Sequence, residues 1–322
     1  MSQYSFSEIR GGRLIGDFRI TEVYPEGRGS ISRVVQAKPI ANSDLAAALK
    51  ISRAGENQEY YFAALHEEVK ILQNLNHRGV VQLRRISSGE YPYKERAIQI
   101  AGTPWFFGME FLHGGSLEDF IRAMGPLSLG EATAICHQVG TALEHVHGRG
   151  FVHNDVRPDH ILFRRELRVG DRLEPVLINF RAGPNSGRLD LVRPVAYAAP
   201  EQLQESHDSS LPDIDSIVDP AKADVWSMGI LLYRLLVGRE PFRGSADHRT
   251  SSAILLDSPQ SMMKRHIDLP QELDELIIEG CLSKDPNDRA EMRDYNALIG
   301  QYSGDWRVQR IPKKSRRLPW RR

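Results

Sequence analysis

The hydrophobic period changes once along this chain, at His113-Gly114-Gly115-Ser116, and that change limits the folds open to it. From Asp17 to about Phe111 apolar and polar residues mostly alternate, the two-residue period of half-buried strands. Phe18-Arg19-Ile20-Thr21-Glu22-Val23 shows it directly, and segments 33–37 and 46–51 follow as further short strands. One helical stretch interrupts them, residues 59–75, where Phe62, Leu65, Val69 and Leu72 recur at three- and four-residue spacing. Residues 105–111 read as a buried strand. After Ser116 the period becomes helical. Residues 128–147 form an amphipathic pattern that Ser128 is placed to cap, with Glu131 three residues on completing a capping box. Residues 224–237 are almost continuously apolar and predict a buried central helix, and 273–282 predict another. Segment 244–257 is polar and weakly patterned, so no element is assigned to it. The expectation is an α+β chain of two lobes: a small antiparallel sheet with one helix, then a larger helical lobe.

A length of 322 residues fits two such units at roughly 100–200 residues each. The expected boundaries are a lead of 1–16, a small lobe of 17–112, a large lobe of 113–301 and a tail of 302–322. Zero formal net charge argues against a wholesale nucleic-acid binder. The charge is segregated, however. Residues 302–322 carry eight Lys/Arg and one Asp, a local +7, so the rest carries −7. This tail also holds Pro312 and Pro319. It is expected to be flexible, and either to touch an acidic surface (anionic lipid, nucleic acid or the acidic face of a partner) or to remain a solvated tail. Cys136 and Cys281 form no Cys-x-x-Cys pattern, so a disulfide scaffold is not expected and a reducing compartment fits. The first ten residues lack an apolar leader core, and no run of 18 apolar residues occurs. A cytoplasmic chain without a transmembrane segment is the expectation. His145, His147 and His153 do not make a metal set. Tyr60, Tyr61, Phe62 and the aromatics near Trp105 read as packing.

Several short motifs carry chemistry. Gly27-Arg28-Gly29-Ser30-Ile31-Ser32-Arg33-Val34 places two glycines between strands, where backbone N–H groups can approach phosphate oxygens. Alone it reads more readily as a glycine hairpin turn. Ala48-Leu49-Lys50 follows, with the lysine sixteen residues beyond Val34. Glu68 lies on the next helix. Met109-Glu110-Phe111 precedes the Gly-Gly-Ser hinge. His153-Asn154-Asp155-Val156-Arg157-Pro158-Asp159-His160 follows the long helix, and Asn179-Phe180-Arg181 follows Val176-Leu177-Ile178. Ala199-Pro200-Glu201, Asp224-Val225-Trp226-Ser227-Met228-Gly229 and Arg289 complete the series.

In this order and spacing the series resembles the eukaryotic-type serine/threonine protein kinases, including their bacterial branch, from about Gly16 to Ile299. The resemblance implies a two-lobed protein-kinase fold with ATP bound between the lobes. It assigns Gly27 and Gly29 to a loop over the phosphates, and Lys50 and Glu68 to the phosphate-pairing lysine and its helix partner. Read without it, Lys50 and Glu68 are a surface ion pair. Val34, Ala48 and Leu162 match the apolar residues around adenine, Met109 the gatekeeper, and Phe111 and Leu112 the hinge. Leu72, Leu83, His153 and Phe180 match the apolar spine joining the lobes. Asp224 matches the helix aspartate that holds the catalytic loop, and Glu201 and Arg289 match a buried ion pair of the helical lobe.

The chain departs from the pattern where metal and phosphate are handled. Asp155 is retained and can orient or deprotonate a hydroxyl. Arg157 replaces the usual lysine and can offset phosphate charge. Asn179 replaces the metal-binding aspartate, and His160 replaces the metal-binding asparagine. Magnesium favours oxygen ligands that include carboxylates, and imidazole suits other metals. Arg181 replaces a glycine suited to positive φ. Asn154 replaces the arginine that receives an activation-loop phosphate, and Pro194 stands where a threonine is usual. Ser186 is the only serine between Asn179 and Glu201, and that stretch has no threonine. The expectation is a pseudokinase with no metal site. It would bind a protein partner (a kinase, a phosphatase or another regulator) and admit ATP weakly without magnesium. The alternatives are a weak serine/threonine kinase using Lys50, Arg157 and Asp155, or a kinase-fold enzyme that transfers a different group.

Overall fold

The computed structural model describes residues 8–25, 31–41, 45–86, 91–180, 195–204, 219–265, 268–309 and 311. The alternating N-terminal segments form β1 (Leu14–Ile15), β2 (Phe18–Val23), β3 (Ser32–Pro39) and β4 (Ala47–Ser52). Helix α1 (Gln58–Gln73) crosses to β5 (Leu83–Arg84), β6 (Lys94–Arg96) and β7 (Trp105–Glu110). These strands make one antiparallel sheet of order β1-β2-β3-β4-β7-β5, with β6 also paired to β7. The pleat sends neighbouring residues of β4 to opposite faces. Ala47, Leu49 and Ile51 join a core within the small lobe, while Ala48 joins a second core that continues into the large lobe.

The large lobe comprises α2 (Leu117–Met124), α3 (Leu129–His147), β8 (Ile161–Phe163), β9 (Pro175–Leu177), α4 (Pro200–Gln204), α5 (Ala221–Val237), α6 (Asp247–Leu256), α7 (Gln271–Glu275) and α8 (Met292–Ser303). Ser116 Oγ accepts the Asp119 N–H at 3.1 Å and caps α2. The capping box of α3 is present: Glu131 accepts from Ser128 N at 2.8 Å, and Ser128 Oγ accepts from Glu131 N at 3.4 Å. In α5 every side chain from Lys222 to Tyr233 is buried, which explains its near-continuous apolar run. Glu201 and Arg289 form a double hydrogen-bonded pair, 2.7 Å at each contact, with Arg289 buried. Removing one partner of such a pair costs about 3–5 kcal/mol.

The hinge is laced to β8. Gly114 N donates to Phe163 O and Phe163 N to Gly115 O, both at 2.9 Å. A Cβ on Gly114 would lie 2.2 Å from the Arg165 carbonyl, so this approach requires glycine. Beside it, Glu110 of β7 pairs with Arg164, whose other nitrogen donates to the Arg78 carbonyl at 2.7 Å.

Three expectations need correction. Segment 244–257, left without an element, contains α6, because Thr250 and Ile254 bury one face of an otherwise polar helix. Residues 273–282 are not one α-helix: α7 passes at Leu276 into a π-helical turn, Leu276–Cys281. The chain after Tyr302 is not flexible from its start. Helix α8 runs to Ser303, Trp306 packs on α3 at Gly130, and Val308 is buried. Val308 exchanges backbone hydrogen bonds of 2.8 Å with Asp171 and Gly170. Two apolar side chains, two residues apart, are enough to fasten this strand-like segment. Most of the basic cluster, at 310 and 312–322, lies outside the described residues.

Candidate functional site

The interlobe cleft is built from the same pleat that divides the cores. Ala48 and Met109 are buried and register opposite each other on β4 and β7. With Leu112 they belong to the core that spans the lobes, and Val34, Phe111 and Leu162 pack against it. The six apolar residues assigned to an adenine slot are thus part of one cluster. Gly27 and Gly29 lie outside the described residues.

Lys50 lies two residues beyond Ala48 on β4 and so shares its face of the strand. Its Nζ lies 2.5 Å from Glu68 Oε2 and donates to Asn179 Oδ1 at 3.0 Å. Only 11% of the Lys50 side chain and 6% of Glu68 are exposed, so this is not a surface ion pair. Helix α1 sets its partner: Glu68 shares a buried face with Leu65, Val69 and Leu72. Asn179 has φ 63°. Asparagine is among the few residues that enter the left-handed region at low cost, and Asn154, also at φ 63°, is a second case.

The loop between α3 and β8 hangs on Asp224 of α5. The carboxylate accepts the backbone N–H of His153 at 2.9 Å and of Asn154 at 2.8 Å. His147 Nε2 also lies 2.8 Å from it. Sequence reasoning missed this role of His147, although its place at the end of α3 was visible. His153 is buried against Phe180, ring centroids 4.7 Å apart, and its Nε2 is 2.9 Å from the Ile178 carbonyl. Gln202 was also missed. Its Nε2 donates to Asn154 Oδ1 and its Oε1 accepts from Ala199 N at 3.0 Å. A neutral amide pair therefore joins the loop to the start of α4.

His160 closes a 3₁₀ turn, Pro158–His160, and is buried. Its Nδ1 lies 2.9 Å from the Asp155 carbonyl. Its Nε2 receives Arg157 Nε at 3.3 Å and lies 3.2 Å from another guanidinium nitrogen of Arg157. These partners select the neutral tautomer that carries its proton on Nδ1. Burial pushes the imidazole down to about 3, with Arg157 adding to the effect and Asp155 opposing it. Arg157 is folded back onto its own loop, 3.3 Å from Asp159 and 3.8 Å from Asp155. Arg181, Ser186 and Pro194 lie outside the described residues.

The lysine pair and the apolar slot fit an adenine nucleotide. The donor set does not fit magnesium. At the two positions where the resemblance implies ligands, Asn179 offers a neutral amide oxygen that already accepts from Lys50, and both nitrogens of His160 are engaged. A hard cation needs oxygen donors and usually a carboxylate or two. Among the described residues no group of three or more His, Cys, Asp and Glu side chains is arranged to hold a metal.

The remaining candidates are structural. Cys136 and Cys281 are free and buried, and burial pushes the Cys136 thiol up to about 12. His145 stacks on His77. The Arg96 guanidinium lies between Trp105 and Phe62, 4.7 Å and 4.8 Å from their ring centres. No described helix is long and apolar enough to cross a membrane.

A small antiparallel sheet above a helical lobe, a buried lysine–glutamate pair at their junction, and a loop hung on a central-helix aspartate together define a protein-kinase fold. The protein kinase domain matches residues 23–297, and the chain belongs to that family. It is 30% identical to serine/threonine-protein kinase RAD53 of Saccharomyces cerevisiae over 230 residues, 69% of this chain and 26% of that protein. It is 24% identical to the probable serine/threonine-protein kinase PknB of Lactococcus lactis over 288 residues, 87% of this chain and 41% of that one. A crystal structure of Rad53 in complex with AMP-PNP superposes with a TM-score of 0.64 at 27% identity. The match covers 89% of this chain and 65% of the Rad53 chain. The aligned region spans well under half the length of these curated relatives.

Proposed function

We propose that this member of the serine/threonine kinase family is a pseudokinase, acting by binding as a regulatory or scaffolding protein. Its cleft admits ATP weakly and without dependence on magnesium. The observation that carries this reading is the double engagement of Asn179 by Lys50 and of His160 by Arg157 and Asp155. The Asn179 amide oxygen and both His160 nitrogens thus have partners inside the protein. Metal assistance is worth several kcal/mol of transition-state stabilisation. Losing roughly 4–6 kcal/mol slows phosphoryl transfer about 10³- to 10⁴-fold. The intact apolar slot and the Lys50–Glu68 pair support residual nucleotide binding at tens of micromolar or poorer, on the order of −6 kcal/mol. The partner is a protein, for example an active kinase or a phosphatase, and the basic tail favours an acidic face on it. Two free buried cysteines fit a reducing, cytoplasmic setting.

The retained Asp155, within reach of Arg157, favours a second reading as a slow serine/threonine kinase. Autophosphorylation with labelled ATP, in magnesium, manganese or chelator, separates the two. No metal-dependent transfer is expected. Robust magnesium-dependent transfer that Asp155→Ala abolishes would refute the pseudokinase reading.

A further inference from the structure

The substitutions at 157 and 160 act on each other. An arginine brings a planar fork of five donors, all charged at every physiological pH. A neutral imidazole brings one acceptor. Here two nitrogens of that fork converge on the single lone pair of His160, at 3.3 Å and 3.2 Å. His160 in turn is fixed from its other side by the Asp155 carbonyl, 2.9 Å from Nδ1. The guanidinium is therefore seated on a rigid base. At this position the family resemblance implies an asparagine facing a metal ion, and the imidazole faces a guanidinium instead.

We propose that Arg157, seated on His160, is a built-in cation that takes over magnesium's charge-neutralising role, so that the cleft recognises the phosphate chain of an adenine nucleotide without a metal. The proposal rests on the nucleotide-binding reading above and names what handles the phosphates.

Three features support it. Glu68 matches the charge of Lys50 at 2.5 Å, whereas Arg157, the other cation of the site among the described residues, meets its carboxylates at the longer distances of 3.3 Å and 3.8 Å. The remaining nitrogen of the Arg157 fork is exchangeable: its partner Asp159, 3.3 Å away, has a side chain 51% exposed, while the mostly buried Asp155 carboxylate lies 3.8 Å from Nε, the nitrogen that already donates to His160. Water weakens a contact with so exposed a carboxylate, and a polyphosphate offers the same fork a better charged acceptor. Lastly, a divalent ion entering beside His160 would meet the fixed guanidinium at short range, a like-charge contact. The same residue that supplies the charge thus excludes the metal. His160 is a positioning residue here, and Arg157 is the group that meets phosphate.

The test is calorimetric titration of ATP and adenosine in chelator and in magnesium. The proteins are wild type, Arg157→Gln, His160→Ala and His160→Asn. In chelator the wild type should bind ATP about tenfold or more tighter than adenosine, a difference of about 1.4 kcal/mol. Arg157→Gln should remove that preference, with the loss confined to ATP; adenosine binding reports that the cleft is still folded. His160→Ala should weaken the preference, and His160→Asn should keep it, because its amide oxygen can still accept from the fork. Wild type that binds adenosine as tightly as ATP overturns the role of Arg157 and leaves nucleotide binding standing. So does a magnesium-driven gain in ATP affinity of about tenfold or more. Binding of neither ligand overturns both this proposal and the nucleotide reading.

Discussion

Replacing His160 by asparagine should flatten the acid limb of this protein's stability. In the folded chain burial holds the imidazole at about 3, against an ordinary value of 6.5. Above pH 6.5 neither folded nor unfolded chain protonates this residue, so its contribution is fully present. As pH falls below 6.5 the unfolded chain gains a proton that the folded chain refuses, and stability is lost until about pH 3. Each unit of difference is worth up to 1.36 kcal/mol. Between pH 7 and pH 5 the loss due to His160 comes to about 2 kcal/mol. His160 is 6% exposed, so solvent screening takes little from that figure. Urea unfolding of wild type and His160→Asn at both pH values measures it. His66 and His77 are also held down by burial, but both remain in the variant and cancel in the comparison. The wild type should lose about 2 kcal/mol more than the variant on acidification. Equal losses would show that His160 titrates normally in the folded protein, and that its lone pair is not held by Arg157.

Lys50→Ala leaves Glu68 as an unpaired buried carboxylate and should cost about 3–5 kcal/mol in urea unfolding; a cost below about 1 kcal/mol would mean that the pair behaves as a solvated one. Deleting residues 310–322 should leave the unfolding midpoint unchanged. Deleting 305–322 removes Trp306 and Val308 and should cost roughly 2–5 kcal/mol, the range for losing large core side chains. Equal midpoints for the two truncations would refute the docking of Val308 and Trp306 on the large lobe.

The sequence by itself determined the two lobes, because the switch from a two-residue to a helical period is local and survives in any tertiary context. It determined the capping box at Ser128 and Glu131 and a central helix over 224–237, which the structure begins three residues earlier at Ala221, for the same reason: each is written in contiguous residues. It also pointed to Lys50, Glu68, Asp155, Arg157, His160 and Asn179 as positions to compare, through the order of their motifs. Only the tertiary structure decided what those groups do to one another. Lys50 and Asn179 are 129 residues apart, and their hydrogen bond exists because the small lobe lies over the large one. His147 meets Asp224 across 77 residues, and Gln202 meets Asn154 across 48. The seat of Arg157 on His160 spans three residues, yet it too was hidden in the sequence. An arginine has many rotamers, and what selects this one is the burial of the imidazole, which keeps it neutral and leaves one lone pair to receive the fork. Burial is a property of the packed chain, so the chemistry of His160 became visible only once the surrounding residues were in place.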